Sequence, residues 1–596
     1  MPGFIIGIGI GIVLPQEKHP DLIVKTISED GFCLSWRTCK KFLNDKFLLD
    51  DSQRIILLEG VIINNRQLIS KYEASDWKDC VRKMYAVHKD TFYDEFRGSF
   101  CGCVYEKDLD RWLFFTDHIG DKQVLYSRSS KGIIVGTEVS YLVETLKANG
   151  VSPSLNRDAA YMALTLGYVI EDNTLFTEIK KLTAGHYLIV KDGKIQEVEY
   201  HRFTNKPREM TLEEAIEGID RHFREAVRLD FEKDREYEYK HWATLSGGLD
   251  SRMTVWVAHE LGYKDQLNLT FSQSNYADFE IAQQIATDLR HEFLFKTLDN
   301  GNCIYDLDSI TGITGGSACF FGVSHTWSLF NKLNYSEYGL VHTGELGDVI
   351  VGSYQKTSME YGIPPKIEDG AYSVELIDRL KNYAFHYSYE NEEMYLMYNR
   401  GFCFVGQGKL GYDHCKTENL SPFCNVDFME FCFRIPLKYR FRHKIYFDWI
   451  LQKYPAAANY IWEGLGGHIK PIDNEPKNKR TMTVFGTTVP HFKDPDFPRY
   501  IKGFILRRLG LRKKVSKPTD GHTFTLATRN NMNPVDYWYA TNPELKSFMD
   551  NYWNDNKDLV KDPQLKEDMR YLYEDCVAVY DKMQVLTVLS AIKMYL

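Results

Sequence analysis

Residues 241–251 read HWATLSGGLDS, and this stretch decides the fold of the middle of the chain. The apolar run before Ser246 predicts a buried strand, and a helix is predicted from about Asp250 to Leu261. At such a strand-to-helix turn, successive backbone N–H groups point into one concavity, where the helix dipole adds positive potential. Gly247 and Gly248 also permit close approach by phosphate groups. The stretch therefore predicts a phosphate-binding turn, with an ordinary capped helix start as the alternative.

Strands and helices alternate beyond this turn. The runs LNLTFS, EFLFKTL and YGLVHTG predict strands, and a helix is predicted from Asp278 to Leu289. This alternation indicates a parallel sheet with right-handed crossover connections.

The 596-residue chain is long enough for several domains. Residues 1–205 contain short β-branched and aromatic runs between Gly, Asp and Lys turns, which is typical of antiparallel sheets. A charged helical segment follows over residues 206–240. We predict a β-rich sandwich domain over 1–205, a parallel-sheet domain over 206–470 and a mainly helical extension over 471–596, so the fold class is α/β plus β-rich.

The composition excludes some classes of protein. A net charge of −9 gives no basic field for nucleic acid, so no nucleic-acid partner is expected. The twelve cysteines lack metal-site spacing, which favours free thiols. The apolar run from Phe4 to Leu14 is too short for a membrane span and lacks signal-peptide features. We expect a cytoplasmic protein without a transmembrane segment.

Asp250 indicates a metal ion. A carboxylate beside a polyphosphate is unfavourable unless a cation lies between them, and Mg²⁺ binds through one or two carboxylates plus phosphate oxygens. The turn therefore predicts binding of a polyphosphate with Mg²⁺. The phosphate-binding residues would be Ser246, Gly247, Gly248, Asp250 and Ser251.

The motif SGGLDS resembles the pyrophosphate loop of the ATP-pyrophosphatase group, which includes the asparagine, argininosuccinate, GMP and NAD synthetases. Residues 343–348 (TGELGD) with 352–354 (GSY) resemble a second motif of the asparagine synthetase family. Residues 117–138 and 174–186 resemble the end of that family's glutaminase domain and the connector that follows it. The resemblance implies an Ntn-type antiparallel sandwich followed by an ATP-pyrophosphatase domain. It also implies that ATP is split into AMP and pyrophosphate through an adenylated intermediate.

The resemblance assigns roles by position. Asp348 would join Asp250 on Mg²⁺, and Glu345 would steer or deprotonate the incoming amine. Asp278 would lie near the pyrophosphate, with N-capping of its own helix as the alternative. The positions that would meet the adenosine are Thr244, Gln273, Thr343 and Gly344.

Two further basic residues have plainer alternatives. Lys470, beyond the family's Trp at Trp462, would stabilise charge as the adenylate collapses, or it is a solvated lysine. Arg252 is expected on a helix surface.

The sequence departs from the family at both substrate sites. Glutamine-hydrolysing members begin Met-Cys, whereas this chain begins Met1-Pro2, and Glu59-Gly60 replaces the glutamine-holding Asn-Gly. We therefore expect no glutamine hydrolysis. Residues 418–425 (ENLSPFCN) lack the family's Arg and Asp, which argues against plain aspartate as substrate. Glu418 is expected at the surface.

The sequence therefore predicts an ATP-dependent amide-forming ligase. Its substrates would be a small-molecule, glycan or peptide carboxylate and ammonia or another amine. The alternatives are an intramolecular cyclase like the lasso-peptide cyclases or β-lactam synthetases, a thiolase-like nucleotide-modifying enzyme, and a non-catalytic nucleotide-binding scaffold. A homodimer is compatible with the sequence. The basic stretch 504–517 could bind an acidic glycan, a leader peptide or a membrane surface, or be a solvated face.

Overall fold

In the computed structural model, the described residues are 1–15, 21–357, 361–414, 417–472, 481–484, 487–490 and 529–596. The basic stretch 504–517 lies outside these ranges, so the hypothesis about it stays a prediction. A small antiparallel pair, Thr481–Val484 with Thr487–Pro490, stands apart from the three large sheets.

The first 200 residues form two six-stranded antiparallel sheets with four helices. One sheet has the order β10-β8-β9-β1-β3-β2, and the other has the order β12-β11-β7-β6-β5-β4. The strands are β1 Gly3–Ile8, β2 Ile23–Glu29, β3 Phe32–Thr38, β4 Phe47–Asp50, β5 Arg54–Ile62, β6 Gly98–Glu106, β7 Arg111–Thr116, β8 Leu125–Ser129, β9 Gly132–Gly136, β10 Ile179–Lys181, β11 His186–Lys191 and β12 Lys194–Glu199. The helices are α1 Asn65–Lys71, α2 Trp77–His88, α3 Val139–Ala148 and α4 Arg157–Thr165.

The two sheets pack face to face because each presents alternate apolar side chains inward. Phe4 and Leu34 from one sheet share a core with Trp112 and Leu188 from the other. The outer face of the second sheet is covered by α1 and α2, and that of the first by α3 and α4. The predicted antiparallel, sheet-rich N-terminal region is confirmed.

A five-stranded parallel sheet follows, with the order β15-β14-β13-β16-β17. This confirms the predicted parallel sheet. Its strands are β13 Lys240–Thr244, β14 Gln266–Ser272, β15 Glu292–Thr297, β16 Tyr338–His342 and β17 Asn419–Leu420. The helices of this region are α5 Leu212–Glu236, α6 Leu249–Glu260, α7 Ala277–Leu289, α8 Leu307–Thr314, α9 Phe321–Phe330, α10 Glu392–Leu396, α11 Gly406–His414, α12 Val426–Phe433, α13 Leu437–Arg440, α14 Lys444–Lys453 and α15 Pro455–Ala458.

Four helices close the chain: α16 Val535–Thr541, α17 Pro543–Asn556, α18 Pro563–Arg570 and α19 Val579–Tyr595. Helix α19 is buried on nearly every side, and it shares one core with α3, α4 and α8. The cysteines in the described ranges are free thiols. Within those ranges, no helix is both long and apolar enough to span a bilayer.

Helix α5 is fixed to the parallel sheet by Asp234, which is fully buried. One carboxylate oxygen accepts hydrogen bonds from His241 Nδ1 at 2.9 Å and His342 Nε2 at 2.8 Å. The other accepts the backbone N–H of Leu340 at 2.7 Å. Burial opposes the charged form, but the two imidazoles hold the pKa of Asp234 below its ordinary value. These hydrogen bonds hold α5 against β13 and β16 of the parallel sheet. The carboxyl ends of these two strands carry the candidate site.

We expect Asp234→Asn to lower the free energy of unfolding by about 2–4 kcal/mol, because it leaves a buried donor without its charged acceptor. Urea unfolding monitored by tryptophan fluorescence would measure this. The matched control is Glu337→Gln, which removes an exposed ion pair to Lys240 at the same end of the sheet and should cost less than about 1 kcal/mol. Equal losses in the two variants would contradict the assignment.

Candidate active site

A cleft of about 390 Å³ opens at the carboxyl ends of β13, β14 and β16, where open parallel sheets bind ligands. Its volume lies within the usual range of small-molecule sites, about 300–1,000 Å³. Nine residues singled out from the sequence line it: Thr244, Ser246, Gly248, Asp250, Ser251, Asp278, Thr343, Gly344 and Glu345. Residues separated by a hundred positions in the chain thus share one cavity.

The predicted phosphate turn is folded by its own hydroxyl groups. The N–H of Ser246 donates to Ser251 Oγ at 2.9 Å, and the N–H of Gly248 donates to Ser246 Oγ at 3.2 Å. Gly248 is the N-cap of α6 and supplies no side-chain cap. Asp250, in the first turn of α6, lies at this positive helix end, so the turn suits an anion that is accompanied by a cation.

Asp278 contacts this turn instead of capping its own helix. Its Oδ1 accepts the N–H of Gly247 at 2.8 Å, whereas Tyr276 occupies the N-cap position of α7. The N-capping alternative was therefore wrong. Burial raises the pKa of Asp278 above its ordinary value.

Asp250 and Asp348 meet at the mouth of the turn. The N–H of Asp348 donates to Asp250 Oδ2 at 3.1 Å, and Tyr446 donates to Asp250 Oδ1 at 2.7 Å. Burial and the like charge of Asp348 raise the pKa of Asp250 to about 7. Two carboxylates beside an anion-binding turn fit a divalent cation with oxygen ligands, and Mg²⁺ is the ion that bridges such carboxylates to phosphates.

Two glycines allow this approach. A Cβ atom on Gly344 would lie 2.3 Å from the backbone nitrogen of Ser251, and one on Gly347 would lie 2.5 Å from Asp250 Cγ. Thr254 adds a hydrogen bond to the Thr343 carbonyl at 3.1 Å. The 343–348 loop therefore packs directly on the first turn of α6.

We expect Gly344→Ala to weaken nucleotide binding at least tenfold, because the methyl group would push the loop away from α6. The control is Gly322→Ala in the same cleft, where the added Cβ would have its nearest neighbour at 3.6 Å. Equilibrium binding of a fluorescent ATP analogue would measure both. Similar affinities for the two variants would show that the close approach does not matter.

Glu345 lies deeper in the same cleft. Its Oε2 accepts Asn419 Nδ2 at 3.3 Å, and its backbone carbonyl accepts Ser421 Oγ at 2.9 Å. Burial raises the pKa of Glu345 to about 7, although the nearby Lys409 opposes the shift. A carboxylate with this pKa can accept a proton from an amine near neutral pH.

The raised pKa predicts a pH-dependent stability. The folded chain keeps the Glu345 proton up to about pH 7, whereas the unfolded chain releases it near the ordinary value of 4.5. The contribution of Glu345 to the free energy of unfolding of the wild type therefore falls as pH rises from 4.5 to 7. Between pH 5 and 8, the free energy of unfolding of the wild type should fall relative to that of Glu345→Gln by up to about 2 kcal/mol, as measured by urea unfolding. The exposed Glu280→Gln serves as control, and a pH-independent difference for Glu345→Gln would refute the shift.

Two of the predicted residues lie elsewhere. The side chain of Gln273 accepts Trp538 Nε1 at 2.6 Å and donates to Asp299, so it is held at the edge of the cleft. Lys470 is exposed, although the turn at Trp462 reaches the phosphate loop, where the N–H of Glu463 donates to the Gly247 carbonyl at 3.3 Å. The catalytic role of Lys470 stays a prediction.

Arg252 is fully buried, so its predicted surface position was wrong. Its guanidinium donates to the carbonyls of Gly247 at 2.9 Å and Ile461 at 2.6 Å. It also donates to two carbonyls of the segment 457–460. Arg252 thereby fixes the phosphate turn to the segment after α15. Its spacing from Leu249 and Trp256 on α6 places it on the inward face, and this is the signal that could have found it.

Arg400 was not singled out from the sequence. Its guanidinium carbon lies 5.1 Å from the Tyr372 ring centre, and no described carboxylate forms an ion pair with it. The next residue, Gly401, packs near Leu346 of the 343–348 loop. The charges of Arg400 and Asp348 shift the pKa of Tyr354 in opposite directions. Among the described residues, Arg400 therefore has tyrosine neighbours but no carboxylate partner.

A buried charge network occupies the N-terminal region at Glu59. Glu59 accepts hydrogen bonds from Trp36 Nε1 at 2.7 Å and Thr38 Oγ1 at 3.0 Å. Lys46 Nζ lies 3.4 Å from Glu59 and 3.2 Å from Glu418. Lys122 completes the network with a 2.7 Å contact to Glu418. Glu418, expected at the surface, is instead buried and joins the sandwich to the parallel-sheet region.

Comparison with known proteins supports part of this organisation. Residues 45–201 match a family described as a glutamine amidotransferase domain. No curated protein matches the chain significantly. The N-terminal region therefore contains an amidotransferase-type domain, which indicates an enzyme whose chemistry is related to amide formation.

Two solved structures show weak similarity. One is described as the allosteric regulatory enzyme of purine biosynthesis, with 9% identity over 49% of this chain and 74% of that chain and a TM-score of 0.23. Another is glutamine phosphoribosylpyrophosphate amidotransferase from B. subtilis complexed with ADP and GMP, with 9% identity over 49% of this chain and 59% of that chain and a TM-score of 0.23. Similarity at this level carries no argument about function.

Proposed function

We propose that the chain is an ATP-dependent amide-forming ligase, related to the asparagine synthetases, that does not hydrolyse glutamine. The observation that carries the proposal is the meeting of Asp250 and Asp348 beside the SGGLDS turn, in a cleft that also contains Glu345. The amidotransferase-type domain at residues 45–201 supports a link to amide chemistry.

Each group of cleft residues would have a separate role in the reaction. The turn from Ser246 to Ser251 would bind the phosphates of ATP, and Mg²⁺ held by Asp250 and Asp348 would neutralise their charge. A substrate carboxylate oxygen would attack the α-phosphorus, with pyrophosphate as leaving group. The amine would then attack the acyl carbon, its proton would pass to Glu345, and AMP would leave. Preorganised charge around the phosphates would supply most of the rate enhancement.

The nitrogen donor would be ammonia or another amine. Glu59 stands where related glutaminases hold glutamine with an Asn, and its carboxylate is already bound by Trp36, Thr38 and Lys46. Burial raises the pKa of Glu59, whereas the charge of Lys46 opposes this shift. These contacts support a structural rather than a hydrolytic role for the N-terminal region.

Pyrophosphate release tests the proposal. The chain would be incubated with ATP and Mg²⁺, and with aspartate, uronic acids or acidic peptides, each with ammonium, without ammonium and with glutamine alone. Ammonium-dependent release with at least one carboxylate is expected, and release without any amine would indicate intramolecular ring closure instead. Turnover that depends on glutamine would overturn the assigned nitrogen source, and nucleotide binding without turnover on any carboxylate would favour the scaffold.

Asp250→Asn should reduce pyrophosphate release at least 100-fold, because the metal loses one of its two carboxylates. The circular dichroism spectrum should remain that of the wild type. Asp265→Asn, an exposed change between α6 and β14, is the matched control and should retain full activity. Wild-type turnover by the Asp250→Asn enzyme would remove the assigned metal role.

We propose that Arg400 binds an acidic group of the acyl substrate, because no described carboxylate forms an ion pair with it. We expect Arg400→Met to raise the KM for the carboxylate substrate about tenfold with little change in kcat. The reason is that a guanidinium binds a carboxylate through two hydrogen bonds, which methionine cannot make. Steady-state kinetics would measure this, with the exposed Arg442→Met as control. An unchanged KM would place the acidic group elsewhere.

A further inference from the structure

We propose that Asp94, His118 and His201 form a binding site for a divalent transition metal ion such as Zn²⁺. Each offers one ligand atom, and these three atoms lie within 4.8 Å of one another. His118 Nε2 is 3.2 Å from Asp94 Oδ1, close to the ligand–ligand spacing in a tetrahedral zinc site with bonds of about 2.0–2.1 Å. The two imidazole rings lie edge to face with centres 4.8 Å apart, so both can direct a nitrogen to one point.

A ring nitrogen without a hydrogen-bond partner supports the site. His201 Nε2 is buried and has no hydrogen-bond partner, whereas buried polar atoms in folded proteins nearly always have one. A ring nitrogen with no hydrogen-bond partner is the atom through which imidazole binds a metal ion.

The surroundings allow a fourth ligand and an entry path. Glu430 Oε1, on α12, lies 3.9 Å from His201 Nε2. The Asp94 carboxylate is about half exposed, at 53%, which opens the site to solvent. The nearby charge of Arg97 is paired with Asp427 through hydrogen bonds of 2.9 and 3.1 Å, which limits its repulsion of a cation.

The other Asp–His–His cluster of the described chain does not share these properties. Asp234, His241 and His342 are fully enclosed, and both oxygens of Asp234 already accept hydrogen bonds. That cluster therefore offers a metal ion no carboxylate oxygen without a hydrogen-bond partner. The Asp94 cluster differs because it combines solvent access with an unpartnered nitrogen.

A metal at this site would have a structural consequence. Asp94, His118 and His201 belong to the N-terminal region, whereas Glu430 belongs to α12, which packs beside the parallel sheet. The ion would therefore join the two regions. This role does not depend on the proposed ligase activity.

The test uses the full chain after dialysis against a chelator. Zn²⁺ binding would be measured by competition with a chromophoric chelator, and Co²⁺ binding by visible absorption. We expect one equivalent of metal with a tetrahedral Co²⁺ spectrum that lacks thiolate charge-transfer bands, because the ligands are nitrogen and oxygen. Zn²⁺ should also raise the Tm of the wild-type chain.

Three variants make the test specific. His201→Ala and Asp94→Asn should each weaken Zn²⁺ binding at least tenfold and abolish the Tm increase. Asp94 is exposed enough for its substitution to leave the fold intact, so Asp94→Asn tests the site even if His201→Ala unfolds. The exposed His88→Ala is the control and should bind metal like the wild type. Failure of the wild type to bind, or equal affinity in Asp94→Asn and wild type, would overturn the proposal.

Discussion

The contact between the first turn of α6 and the 343–348 loop is the constraint on which the candidate site depends. It exists only because Gly344 and Gly347 carry no side chain against Ser251 and Asp250. The contact brings two carboxylates together at the positive end of a helix, and the burial it creates moves the pKa of Asp250 close to neutrality. The pairing of Asp250 with Asp348 and the raised pKa of Asp250 are thus consequences of one close backbone approach.

The sequence predicted those parts of the fold that local patterns determine. The strand–turn–helix at residues 240–260, the helix beginning at Ala277 and the parallel sheet all follow from apolar periodicity and glycine placement. Most of the candidate cleft was also predictable, because its residues lie at strand ends, which meet at one edge of a parallel sheet.

The remaining features depend on contacts between distant segments. Arg252 and Glu418 were expected at the surface because both are charged, but each is buried among partners supplied by other parts of the chain. Asp278 was ambiguous because a first-turn aspartate can either cap its helix or reach outward, and only the tertiary position of Gly247 decides between the two. Arg400 had no sequence motif, and it drew notice only because no carboxylate in the described part of the chain pairs with it.

The network of Lys46, Glu59, Lys122 and Glu418 has an evolutionary consequence. It contains two cations and two anions that are all buried, so losing any one of them leaves an uncompensated charge that costs several kcal/mol. Drift at these positions would therefore proceed through paired or simultaneous replacements, across a boundary between two parts of the chain that differ in architecture. A change that opened a ligand pocket at Glu59 would require matching changes at Lys46 and Glu418, so neither part of the chain could alter this boundary alone.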